Sequence, residues 1–218
     1  MANSGDTRYE LSVPVGVHVS ATTASGNINV SGTRGPLTLE SASGDIDASD
    51  GAVRVEAENA AGRVTLQRMS GTTSVNALNG VVTITEITGD LEIEAVSGSI
   101  RIDRADLKSL RFEAVAGSLD FGGTLAADGR HSMETMSGSI TLRVPDNFAA
   151  SIEFDTFTGS LRPGEFRVTM QPGGSGGRGR NNQRTQFVIN GGGARLSIKT
   201  FSGDVFLRKL GAAGKEDR

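Results

Sequence analysis

Along most of the chain, apolar and polar residues alternate with a period of two and then pause at a glycine. ESASGDIDA (40–48), ENAAGRVTL (58–66), EAVSGSIRI (94–102), ETMSGSITL (134–142) and KTFSGDVFL (199–207) share one cadence. The glycine of that phrase falls at Gly26, Gly44, Gly62, Gly80, Gly98, Gly117, Gly138, Gly159 and Gly203, in steps of 18, 18, 18, 18, 19, 21, 21 and 44. Two and four residues after it come apolar pairs such as Ile28/Val30, Val64/Leu66, Val82/Ile84, Ile100/Ile102 and Val205/Leu207. Midway lies a second series: Leu37/Leu39, Val55/Ala57, Leu91/Ile93, Leu110/Phe112, Ile152/Phe154 and Leu196/Ile198. Each 18-residue unit is therefore two nonapeptides, a short strand and a corner each, with one face in and one out.

One such strand pair cannot bury its apolar face, so the units must stack. The pattern predicts an all-β, parallel β-solenoid with 18–21 residues per coil, coils about 4.8 Å apart and the right-handed sense of parallel β crossovers. Residues 1–210 read as one domain, with an insertion at 163–193 and a polar tail at 211–218. In the insertion, EFRVTM and TQFVIN alternate as two strands around a Gly-rich, basic tip, and GGGARLSIKTFSGDVFLRKL resumes the repeat for a last coil. Two residues before each glycine stand Ala24, Ala42, Ala60, Leu78, Val96, Val115, Met136, Phe157 and Phe201. Pointing inward, this column of growing size would widen the rod toward its C-terminal end.

Composition fits many tight corners: 30 Gly in 218 residues, no Trp and one Tyr. The absence of Cys excludes disulfides, thiolate metal sites and thiol catalysis. The net charge of −3 hides a gradient, −10 over residues 1–161 and +7 over 162–218. No stretch approaches the roughly 20 apolar residues of a membrane span, and MANSGDTRYE has no apolar signal core.

YELSVPVGVHVSATTASGNINV, the S-G-x-Φ-x-Φ series and NGGGARLSIKTFSGDVFL together resemble a bacterial adhesin-type family, a β-solenoid domain of unknown function. The likeness runs from about residue 9 to 209. It implies the same fold and a place in the cell envelope, exported or anchored. It implies no catalytic residues.

Acidic residues recur four positions before the glycine, at Glu40, Glu58, Glu94, Glu113, Glu134 and Asp155, with Thr22, Asn76 and Lys199 in the same column. Stacked like charges repel by about 0.2–1 kcal/mol per neighbouring pair. Glu56, Glu92 and Glu153 on the neighbouring outward row add to this, relieved mainly by Arg111. One reading is a ridge that takes up cations such as Ca²⁺ or docks a basic partner. The other is an open corner whose carboxylates splay into water and cap the turn. A row of single carboxylates lacks the mixed ligands of a closed cage, which favours the second reading.

The calcium nonapeptide of β-roll toxins is absent, because Asp follows the glycine only at Asp45, Asp90 and Asp204. Ser beside the glycine suits turn chemistry. His18 and His131 occupy different places in the repeat, and His131 takes an apolar position. A carbohydrate-active enzyme would need walled carboxylates and sugar-stacking aromatics. Arg178, Arg180 and Arg184 in the Gly-rich tip lack interleaved aromatics, so no nucleic-acid partner is expected. The expectation is a non-enzymatic surface-binding or spacer module without cofactor. A self-assembling scaffold, a monomer joining others head to tail, is the alternative.

Overall fold

The structure, a computed structural model, describes residues 9–51, 53–171 and 183–211. The Gly-rich tip at 172–182, with Arg178 and Arg180, and the tail from 212 onward lie outside the described residues. Among the described residues there is no helix, and so none long and apolar enough to cross a membrane. The chain is all-β, its strands joined in one curled, mixed sheet of twelve.

The strands are β1 (Val19–Thr23), β2 (Ile28–Ser31), β3 (Leu37–Ser41), β4 (Ile46–Ser49), β5 (Arg54–Ser137), β6 (Ile140–Val144), β7 (Ala150–Thr156), β8 (Leu161–Arg162), β9 (Val168–Gln171), β10 (Gln183–Ile189), β11 (Ala194–Ser202) and β12 (Val205–Lys209). Most pairings are parallel, and those of β1 to β4 hold the 18-residue register: Leu37 lies beside Val19 and Val55, and Ile46 beside Ile28 and Val64. The 84 residues of β5 would span about 280 Å if straight. Instead the run bends repeatedly, at Arg68, Gly71, Glu86, Gly89, Gly98, Arg104 and Gly123, all with positive φ.

The apolar pairs form the core as their alternation predicts. Leu37, Leu39, Val55, Val64, Leu66, Ile84, Ile93, Ile102 and Ile198 are at most 1% exposed. Val19, Ala21 and Val30 are only partly buried, since β1 and β2 have a strand neighbour on one side alone. Buried phenylalanines begin at Phe112 and continue through Phe121, Phe148 and Phe154. They accompany the longer repeats.

The corner column does not fill the core. Leu78, Val96, Val115, Met136, Phe157 and Phe201 are 48–59% exposed, which overturns their expected inward direction. The strand's alternation carries on into the corner. Residues three before the glycine, including Asn59, Ala77, Ala95, Thr135, Thr156 and Thr200, turn inward. The next residue must then turn outward, on the same face as the acidic position two before it.

The last coil in sequence is not the last in space. β11 lies between the end of β5 and β7, and β12 between β6 and β8. The chain thus builds the coil of β7 and β8, makes the β9–β10 excursion, and returns to fill the space beneath. β10 pairs antiparallel with β7, and β9 with β10, so that β9 and β8 stand at the outer edges there.

Candidate functional site

At most corners of the repeated phrase the backbone approaches its neighbour so closely that a side chain on the glycine would meet backbone. A Cβ on Gly98 would overlap the carbonyl oxygen of Gly80, and one on Gly203 that of Gly138. This contact stacks the corners in register, so the flanking side chains form straight ladders. Two ladders border a groove of about 740 Å³.

One wall is apolar. In spatial order it runs Leu78, Val96, Val115, Met136, Phe201, Phe157, with the two Phe rings stacked 5.0 Å apart and 5° from parallel. Met136 and Phe201 are brought together because Thr200 and Ser202 lie in register with Thr135 and Ser137. The other wall is polar: Asn76, Glu94, Glu113, Glu134, Lys199, Asp155. Ala77, Ala95, Ala114, Thr135 and Thr200 line the floor.

The structure brings all six sequence-predicted carboxylates into one column but divides them. Glu40 and Glu58 are direct neighbours and line a smaller depression of about 270 Å³ beyond Asn76, beside Ala42 and Ala60. Glu94, Glu113, Glu134 and Asp155 line the main groove. Their contacts are not those of turn caps. Glu40 accepts a hydrogen bond from Thr22 at 3.3 Å, Glu113 pairs with Arg111 at 2.7 Å, and Glu134 with Lys199 at 3.4 Å. Glu58 and Glu94 have no hydrogen-bond or ion-pair partner among the described residues. The turn is served from inside instead, where the Thr156 hydroxyl accepts from Gly159 N–H at 2.8 Å. Among the described residues no group of three or more carboxylates or histidines is gathered closely enough to hold a metal ion.

A second corner offers the contrast. Asp50, Arg68, Glu86 and Arg104, 18 residues apart, all take positive φ and alternate in charge. Arg68 bridges Asp50 at 2.6 Å, and Arg104 bridges Glu86 at 3.0 Å. The hydrogen bond from Arg68 holds the Asp50 carboxyl below the usual carboxylate range. Their even spacing and alternating sign are legible in the sequence. Arg143 similarly joins Asp103 and Asp120, each at 2.8 Å. The fold can neutralise a stacked column, and at the groove it does so from within the column at one end, where β11 inserts Lys199 between Glu134 and Asp155, and from the neighbouring row at Glu113, through Arg111.

The two histidines stay apart. His18 hydrogen-bonds Thr38 at 3.1 Å on the surface, while His131 is 2% exposed, its Nε2 3.3 Å from Ala126 O and its Nδ1 without a partner. A second depression of about 730 Å³ is lined by Arg111, Arg130 and Arg195 with Ser132 and Ser197. Its like neighbours come only in pairs, Arg130 beside Arg195 and Ser132 beside Ser197, and Arg111 is already engaged by Glu92 and Glu113.

A family model described as Toastrack DUF4097 matches the chain over residues 2–122 and again over 37–208. The two matches begin 35 residues apart, close to two 18-residue repeats, as expected where a repeat can be read in more than one register. No curated protein and no solved structure matches the chain.

Proposed function

We propose, on the premise that the chain belongs to the Toastrack DUF4097 family, that it is a non-catalytic binding module whose working surface is the two-walled groove. The stack is read as a right-handed parallel β-solenoid, a rigid support that repeats one side chain per coil. Its setting is the bacterial cell envelope, and its role adhesin-like: it holds a partner or spaces one from the surface. Six large apolar side chains exposed in an unbroken ladder carry this reading. A contiguous exposed apolar strip rimmed by polar residues marks an interaction site. No reaction is assigned, because the carboxylates run in single file along one wall.

The test is a neutral solvatochromic dye titrated against the protein and against a Val115→Thr/Met136→Thr/Phe201→Thr variant. The wild type should enhance the dye's emission and the variant should not, at unchanged thermal midpoint. Equal enhancement by both proteins would remove the groove as the working surface.

Self-assembly is the second reading, and the two ends of the sheet give it a definite form. β9, paired antiparallel with β10, ends the sheet on one side, while β1 and β2 leave parallel outer edges open at the other end. Tyr9 and Leu11, which precede β1 in the chain, are 84% and 85% exposed. Association through this open edge gives closed pairs instead of head-to-tail filaments. Light scattering over a concentration series should plateau at two copies under this reading. A single-copy mass throughout excludes it, and open-ended growth restores the filament.

A further inference from the structure

We infer that the occupant of the groove is an amphipathic helix, with an apolar stripe and a lysine- or arginine-rich flank, lying along the stacking direction. This rests on the reading of the groove as a binding surface and adds the class and shape of its partner.

The shape follows from periodicity. Neighbouring ladder side chains stand about 4.8 Å apart. A helix presents one face every 5.4 Å, so over the five steps from Leu78 to Phe157 the mismatch accumulates to about 3 Å. An extended chain presents one face about every 6.8 Å and would slip by about 10 Å over the same distance, two whole repeats. The ladder spans about 24 Å, the length of a helix of roughly 16 residues. An apolar face laid into such a groove is a recurring mode of recognition.

The charge follows from the other wall. Glu94 is unpaired among the described residues, and Glu113 and Glu134 are held only by exposed ion pairs that a partner's cations can replace. The alternating column Asp50, Arg68, Glu86, Arg104 shows the same chain cancelling stacked charge at another corner. The acidic wall runs beside the apolar wall over the same coils, so a helix seated on one sets its flank against the other.

Two Leu-striped 18-residue probes, one flanked by lysine and one by glutamine, are titrated by fluorescence anisotropy. The lysine helix should bind at least tenfold tighter than the glutamine helix. E94Q/E113Q/E134Q should erase that preference, and E40Q/E58Q, outside the main groove, should leave affinity within twofold. V115T/M136T/F201T should weaken both probes. Equal binding of the two probes overturns the cationic flank, and equal loss in E40Q/E58Q reduces it to bulk charge, which also overturns it. Undiminished binding of a lysine probe broken by two central prolines overturns the helix. All three failures leave the groove reading intact. Affinity unchanged in V115T/M136T/F201T, with no dye response to the groove, removes that reading itself.

Discussion

Single residues divide here by what stacks above and below them. Gly98 has φ 138° and faces the Gly80 carbonyl, whereas Gly32 has φ 72° and nothing within 4 Å of its Cβ position. Gly98→Ala should therefore cost more than about 2 kcal/mol, since backbone must shift. Gly32→Ala should cost only about 1 kcal/mol, the left-handed penalty alone. Urea unfolding separates the two, and equal losses would mean the corners are not in contact. His131 is the buried titratable group of the core. Burial holds its pKa below the usual histidine range, against the pull of its hydrogen bond to Ala126. The unfolded chain takes up a proton below about pH 6.5 while the folded chain resists. Stability should thus fall as pH drops through that value, and His131→Leu should lose that part of the fall in denaturant midpoints at pH 7.5 and 5.5.

At the scale of elements, β11 converts a column of like charge into an alternating one over its last three members. Lys199 stands in register with Glu134 on one side and Asp155 on the other. Lys199→Glu would leave five carboxylates in succession, from Glu94 to Asp155, and should cost about 1–2 kcal/mol, most of it recovered in high salt. A loss indifferent to salt would point to packing instead. The corner element shows how much of the site was legible. The carboxylates could be found from their spacing alone. Their apolar partners Val96, Val115 and Met136 are equally periodic, yet their growing size suggested filling of the core. Parity decides the matter: two residues from the glutamate on an alternating strand is the same face.

For the whole molecule, the interleaved order makes the C-terminal coil an interior layer. Ile198 is fully buried, in register with Met133 and Phe154. Amides of β11 should exchange with solvent as slowly as those of residues 130–137, and faster exchange should fall on the edge strands β1, β2, β8 and β9, each paired on one side alone. Ile198→Ala should cost about 2–5 kcal/mol, as for a central core position. Rapid exchange across β11 would place it at a fraying end.

The sequence by itself determined the alternating strands, the 18-residue register and the apolar pairs that fill the core, but not the outward direction of the corner column. Those depend on local alternation and on glycine at close approaches, and each repeat states them again. It also placed the carboxylates in one column. What only the tertiary structure decided is which coil lies beside which. No local pattern records that the chain from 194 onward returns between two coils already built, because β11 would read the same at an end. That return puts Lys199 between two carboxylates and Phe201 between Met136 and Phe157, completing both walls of the groove. The ladders were written in the sequence; their order came from packing, where a buried layer gains a neighbour on each side and an end layer gains one.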